Sequence, residues 1–220
     1  GRGIERLRQR GVEATVGVRA TKAKRLNEAF LTHVRTGRPL VTLKIAATLD
    51  GQIATASGDS QWVSGPESRQ LVHRWRAETD AVLIGAGTAR ADDPALTVRH
   101  VELATGQTQP LRVVLDRTGS LPSSLQLFSD AHASRTVAIT QPDAAPAYAD
   151  ALRKLGGVVL SDQRAGDHLD LGAVLDRLGS GDGLPDGVRP VQSVLVEAGP
   201  GLATALLAQD LVDRVAWFVA

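Results

Sequence analysis

Residues Leu40–Thr48 are mostly β-branched or apolar, and Ala81–Ile84 is apolar without interruption. Short runs of this kind, bounded by Gly, Pro or Asp, predict strands covered on both faces. Leu111–Leu115, Thr136–Thr140, Val158–Leu160, Ser193–Glu197 and Arg214–Val219 read the same way. Between several of them the apolar spacing lengthens to three and four, predicting helices at Ala145–Leu155, Leu169–Leu178 and Leu202–Ala208. A further helix is expected from Ser64 to about Glu78, headed by an N-cap candidate, a first-turn Pro66 and Glu67. Strands alternating with helices imply an α/β fold, a three-layer sandwich around a mostly parallel sheet.

The first residues follow a different pattern. Ile4–Arg10 reads as a helix, Gly11–Val18 alternates loosely as a short strand, and Thr21–Leu31 carries apolar Ala23, Leu26, Ala29 and Phe30 at helical spacing behind a Thr N-cap candidate. Thr36-Gly37-Arg38-Pro39 then punctuates the chain. The expected division is an appendage over 1–37 and a main domain over 38–220. Gly179–Gly187, rich in Gly, Asp and Pro, is expected to be a loop. The chain opens inside a helical stretch and stops inside an apolar run, so its natural ends are expected to lie beyond both.

Composition narrows the function classes. At 220 residues and a formal net charge of +1 the chain can bury one substantial core, and it shows no basic stripe for nucleic acid or an anionic membrane. The partners expected are small soluble molecules. The absence of cysteine excludes disulfides, thiolate nucleophiles and cysteine-held metal clusters, and a cytoplasmic location fits it. No apolar run approaches the roughly 20 residues that span a bilayer. The histidines are scattered without a zinc-site spacing, no metal is expected, and no G-x-S-x-G elbow is present.

The candidate chemistry lies at strand ends. In Val194–Leu202 a buried strand empties into Gly199-Pro200-Gly201 and then a helix, which would aim unpaired helix N–H groups at a ligand beyond the strand and let a phosphate approach the backbone. The same turn also serves as a plain connection. Val82–Thr88 repeats the logic with Gly85, Gly87 and a hydroxyl, and two such turns suggest a dinucleotide, although neither holds a full G-x-G-x-x-G. In Thr88–Arg99, Asp92 and Asp93 stand before a helix-breaking Pro94. Arg99 and Arg76 are candidates for a guanidinium pair on a substrate phosphate, or for surface ion pairs. Ser57–Ser64 groups hydroxyls, Gln61 and Trp62, suited either to a sugar or flat ring or to packing.

Taken in order, Leu43–Gly51, Gly58–Ser64, Ala91–Arg99 and Val196–Pro200 resemble the reductase domain of the bifunctional riboflavin-biosynthesis deaminase/reductase, from about Arg38 onward. Gly3–Phe30 resembles the tail of that protein's deaminase domain. The resemblance implies a dihydrofolate-reductase-like fold, a homodimer, and hydride transfer from NADPH to C1 of the ribose in 5-amino-6-(5-phosphoribosylamino)uracil. The rivals are a same-fold reductase acting on the undeaminated pyrimidine or a pteridine, and a non-catalytic nucleotide-binding module. By the same resemblance, Ala46, Trp62, Thr88, Asp92 and the turn Gly199, Pro200, Gly201, Leu202, Ala203, Thr204 and Ala205 fall at coenzyme positions. Ser60, Arg76, Leu96, Arg99 and Glu197 fall at substrate positions, with Lys44 and Asp50 assigned to place the ribose. Two residues depart from the family pattern: Arg117 replaces a small hydroxyl residue, and Gly201 replaces the Thr usual after Gly-Pro.

Overall fold

The computed structural model describes residues 2–47, 65–144, 146–162 and 167–219. A sheet of seven strands holds the chain together in the order β5-β4-β3-β2-β6-β1-β7. In sequence these are β1 (Leu40–Ala47), β2 (Ala81–Gly85), β3 (Leu111–Leu115), β4 (Thr136–Thr140), β5 (Val158–Ser161), β6 (Ser193–Glu197) and β7 (Arg214–Val219). Every neighbouring pair is parallel. The continuous apolar runs are explained by coverage on both faces: β3 and β4 are buried at every position.

Alternate residues of each strand feed two separate cores. Ala81, Leu83, Val113, Ile139, Val194 and Val196 point to one face, and there they meet Leu171, Leu175 and Leu178 of α8 (Leu171–Ser180) and Ala203 and Leu206 of α9 (Pro200–Ala208). Val82, Ile84, Val114 and Ala138 point to the other, against Ala89 of α5 (Ala86–Asp92), Leu127 and Phe128 of α6 (Gln126–Ser129), and Tyr148 and Leu152 of α7 (Pro146–Lys154). The period of two divides one strand's apolar residues between two helix layers.

One consequence of this topology positions the site. From β2 the chain passes through α5 to β3 on one side, whereas from the adjacent β6 it passes through α9 to β7 on the other. The two helices lie on opposite faces of the sheet, so a crevice opens between the carboxyl ends of β2 and β6. A switch point of this kind is where open α/β sheets bind ligands.

The N-terminal residues depart from expectation. Gly11–Val18 forms no strand; residues 12–17 are irregular, and Val12, Val16 and Val18 stay 48–69% exposed, since no neighbouring strand offers them a ladder. The helix expected over Thr21–Leu31 is two, α2 (Ala20–Leu26) and α3 (Glu28–Thr36), preceded by α1 (Arg2–Gln9). Asn27 parts them: its side-chain amide donates to the Ala23 carbonyl at 2.8 Å, competing with the helix ladder. Arg19, rather than Thr21, occupies the N-cap.

The helix expected from Ser64 is α4 (Pro66–Glu78), capped by Gly65 without a side-chain bond, Ser64 itself lying outside the described residues. The glycine turn expected after β2 is absent, because α5 starts directly at Ala86 and takes Gly87 and Thr88 into its body. Gly179, expected in a loop, belongs to α8 and lies against the Gly37–Arg38 backbone so closely that a Cβ would clash with the Gly37 carbonyl oxygen. Among the described residues no helix is long and apolar enough to cross a membrane.

Candidate active site

A cavity of about 540 Å³ occupies the switch-point crevice. Ile84 and Gly85 at the end of β2, and Glu197 and Ala198 at the end of β6, form its floor. Its first wall is the start of α9. Gly199 is the N-cap with no side-chain cap, and Pro200 stands in the first turn, so the first-turn amides of the helix lack a capping side chain. Both glycines line the cavity; a Cβ on Gly201 would meet nothing within 4 Å, and one on Gly199 would touch the Thr88 hydroxyl at 3.4 Å. Gly87, Thr88, Ala91 and Asp92 of α5 continue this side.

The opposite side is built of charged and apolar side chains. Lys44 and Ala46 project from β1 into the cavity, with Lys44 in register with Glu197 on β6 and its ammonium 5.9 Å from the Phe218 ring centroid. Arg76 of α4 grips Glu197 with a bidentate pair, Nε to Oε1 at 2.6 Å and Nη2 to Oε2 at 2.9 Å. Burial raises the carboxyl's pKa, but the adjacent Arg76 and Lys44 charges more than offset this, holding Glu197 below the usual carboxylate range. An ionised Glu197 therefore faces the cavity. Arg76 is itself 8% exposed and gives its remaining Nη1 to the Thr97 carbonyl at 3.1 Å. Its fork is thus occupied inside the protein, while the Arg99 side chain is exposed and makes no hydrogen bond or ion pair among the described residues.

Leu96 closes this side. It is 2% exposed, lines the cavity and adopts φ 52°, a left-handed conformation that a leucine rarely takes. Strain of this sort persists where surrounding structure over-determines it, and it clusters at ligand sites. Just beneath, His73 of α4 accepts the Arg99 backbone N–H on Nδ1 at 3.2 Å, which places its proton on Nε2. Burial and the charges of Arg76, His100 and Arg99 lower the His73 pKa to about 4, with Glu197 opposing them, so the ring is neutral near pH 7.

Of the residues singled out from sequence, the cavity brings together Lys44, Ala46, Thr88, Asp92, Leu96, Glu197, Gly199, Pro200, Gly201 and Leu202. Arg76 stands behind Glu197, and Arg99 lies beyond the lining. Ala203 is buried in the core beneath α9 with Ala205 packed beside it, and Thr204 is exposed, so none of the three lines the cavity. Asp50, Ser60 and Trp62 lie outside the described residues. Sequence reasoning missed His73, Gln109 and Arg112, which support the Leu96 side from behind. The only signal for Arg112 was a cation in the middle of a strand apolar on every other position.

Fold and cavity define an open α/β domain with a ligand crevice at its switch point. The chain belongs to the family described as RibD C-terminal domain, which it matches over residues 39–220. It is 36% identical to the riboflavin biosynthesis protein RibD of Aquifex aeolicus over 220 residues, covering all of this chain and 57% of that protein, and 36% identical to the Escherichia coli protein of the same name, covering 58% of it. It spans somewhat over half the length of these relatives. Among solved structures it superposes on RibD of Acinetobacter baumannii with a TM-score of 0.82 at 34% identity, covering all of this chain and 56% of that one. A Thermotoga maritima protein titled diaminohydroxyphosphoribosylaminopyrimidine deaminase/5-amino-6-(5-phosphoribosylamino)uracil reductase matches with a TM-score of 0.79 at 32% identity, over all of this chain and 55% of that one. The fold is thus the dihydrofolate-reductase-like α/β/α sandwich that the motifs implied.

Proposed function

We propose that this chain is a reductase acting in riboflavin biosynthesis, taking a hydride from NADPH to reduce the ribose of 5-amino-6-(5-phosphoribosylamino)uracil to its ribitylamino product. One observation carries the reading: a single cavity joins two helix starts on its first side to an ionised Glu197, Lys44 and a strained Leu96 on the other. The first side offers what a dinucleotide phosphate needs, backbone donors and open space over Gly201. Gly199, Gly201, Thr88 and Asp92 on this side, with Ala46 across the cavity, would hold the coenzyme, whose nicotinamide supplies the hydride. Arg117, exposed past β3, outside the cavity lining and bonded to the neutral Gln141 amide at 2.8 Å, carries a charge that suits either a coenzyme 2′-phosphate or solvent.

The protein's own contribution is placement. Glu197 accepts hydrogen bonds from sugar or pyrimidine donors, and Lys44 offers a cation beside the ribose. Leu96 excludes water from that end of the cavity, and Arg99 takes the substrate phosphate, the role that its guanidinium, unpaired among the described residues, suits better than the occupied one of Arg76. The reading includes a cytosolic homodimer, as the family resemblance implies.

The test is NADPH absorbance with the deaminated and the undeaminated ribosylaminopyrimidine. Turnover restricted to the deaminated compound is expected. Preference for the undeaminated one would move the substrate assignment, and coenzyme binding without turnover of either would leave a nucleotide-binding module.

A further inference from the structure

Residues 93–99 follow α5 with no regular secondary structure, yet Ala95, Leu96, Thr97 and Val98 are all less than 10% exposed. A buried loop must find partners for its backbone groups, and loops normally escape that demand by lying at the surface. Here side chains meet it from both flanks. From α4, Arg76 donates to the Thr97 carbonyl at 3.1 Å and His73 accepts the Arg99 N–H at 3.2 Å. From the other flank, Gln109 addresses Val98 as a second strand would: its Oε1 accepts the Val98 N–H at 2.7 Å and its Nε2 donates to the Val98 carbonyl at 3.1 Å. Arg112, 1% exposed on β3, spends all its donors internally; one reaches the Ala95 carbonyl at 3.0 Å, and the others go to Asp130, Leu127 and Thr136.

We propose that Gln109 and Arg112 are positioning residues for the substrate: with Arg76 and His73 they clamp 94–99 into one preformed wall, fixing Leu96 and Arg99. The clamp explains how Leu96 stays left-handed, because Ala95 before it is tied to β3, and Thr97 and Val98 after it to α4 and to the segment leading into β3. Neither Gln109 nor Arg112 lines the cavity, so each acts through the loop. A site held this way meets its ligand without first ordering a loop, which removes a cost from binding. The positioning role rests on the functional reading above, in which Leu96 and Arg99 face the substrate.

Gln109→Ala tests it most cleanly, since the side chain is only partly buried and neutral. Two measurements are needed on the whole chain. Hydrogen exchange in a peptide covering 94–99, with no ligand present, is expected to speed by about tenfold, as loss of a bidentate amide contact implies. The KM for the ribosylaminopyrimidine is expected to rise by about tenfold, with kcat and the NADPH Kd within about twofold. Gln109→Glu, which keeps the acceptor for Val98 N–H and loses the donor, should fall between. Unchanged exchange overturns the clamp. Faster exchange with an unchanged KM, or a parallel loss of substrate and coenzyme binding, overturns the positioning role. An unaltered chain that oxidises no NADPH with either pyrimidine removes the functional reading and the positioning role together, while the exchange result still stands for the clamp.

Discussion

The two sides of the cavity are made of different materials. On the α9 side, apart from Thr88 and an exposed Asp92 on α5, the contacts on offer are backbone amides and bare glycine, fixed by the helix itself. On the α4 side they are side chains, ionised Glu197, Lys44 and a loop held by Arg76, His73, Gln109 and Arg112. Backbone donors suit a phosphate common to many ligands, whereas placed side chains can discriminate one sugar and ring from another. The cost also differs. The first side needs only a helix start, but the second keeps charges in a partly dry setting and relies on each one's partner.

The largest effect should come from breaking that dependence. Arg76→Met removes both the counter-charge of Glu197 and the donor to Thr97, leaving a carboxylate with 13% of its side chain exposed beside Lys44 alone. Loss of one partner of a buried pair costs about 3–5 kcal/mol. Urea unfolding should show a fall of that size, with Arg76→Met/Glu197→Gln regaining part of it. A loss below about 1 kcal/mol would mean that the pair behaves as a solvated surface bridge. The α9 side contains no comparable charge, so no single substitution there should unfold the domain to this degree.

Next in size is the response to pH. Unfolded His73 binds its proton near the ordinary imidazole value of about 6.5, and in the folded chain it does so only near about 4. Between those values the unfolded state holds more protons, so stability falls as pH falls through that window. The groups facing the ring are Arg76 on its own helix, Arg99 and His100 on the following loop, and Glu197 on β6. Full protonation would cost on the order of 2–3 kcal/mol and would take the acceptor from the Arg99 N–H. Glu197, held ionised, loses its own contribution only below the ordinary carboxylate range. His73→Asn puts an amide oxygen near the place of Nδ1 and removes the titration. Its unfolding free energy should therefore vary less than the parent's between about pH 6.5 and pH 4.5. Equal slopes for the two proteins would show that His73 does not titrate in this window.

The two sides also differed in how far they could be read from the chain. The α9 side was legible because it is local: a buried strand, Gly-Pro-Gly and an apolar helix are consecutive residues, and consecutive residues are what periodicity and turn chemistry report. The strands were legible for the same reason, and with them the parallel sheet. On the α4 side, Leu96 and Glu197 stand out only through family resemblance, and Arg99 only as one of two guanidinium candidates. The contacts that hold them join residues 73, 76, 109, 112 and 197, brought together by strand order rather than spacing. Spacing alone leaves Arg76 open to a phosphate or an ion pair, and only the fold brings it to Glu197. The N-terminal misreadings have the opposite cause. Alternation in Gly11–Val18 and helical spacing across Asn27 are local signals without a tertiary surface to sustain them.

The smallest expected effect sharpens the comparison most, because it adds a side chain to the backbone side. Gly201 is the second residue of α9, its φ is not left-handed, and an added Cβ meets open space in the cavity. Threonine therefore fits without strain and should leave stability unchanged or raise it by about 0.5 kcal/mol, since glycine loses more backbone freedom in a helix. Its hydroxyl would stand beside the first-turn N–H groups of α9. If a coenzyme phosphate rests there, Gly201→Thr should tighten NADPH binding by about three- to tenfold, near 1 kcal/mol for one added hydrogen bond. The substrate KM, set on the far side, should not move. Calorimetry decides between three results. Tighter binding places the phosphate over α9, while weaker binding at equal stability means the hydroxyl obstructs a ligand that needs bare backbone. An unchanged Kd would put the phosphates elsewhere and end the division of labour between the two sides.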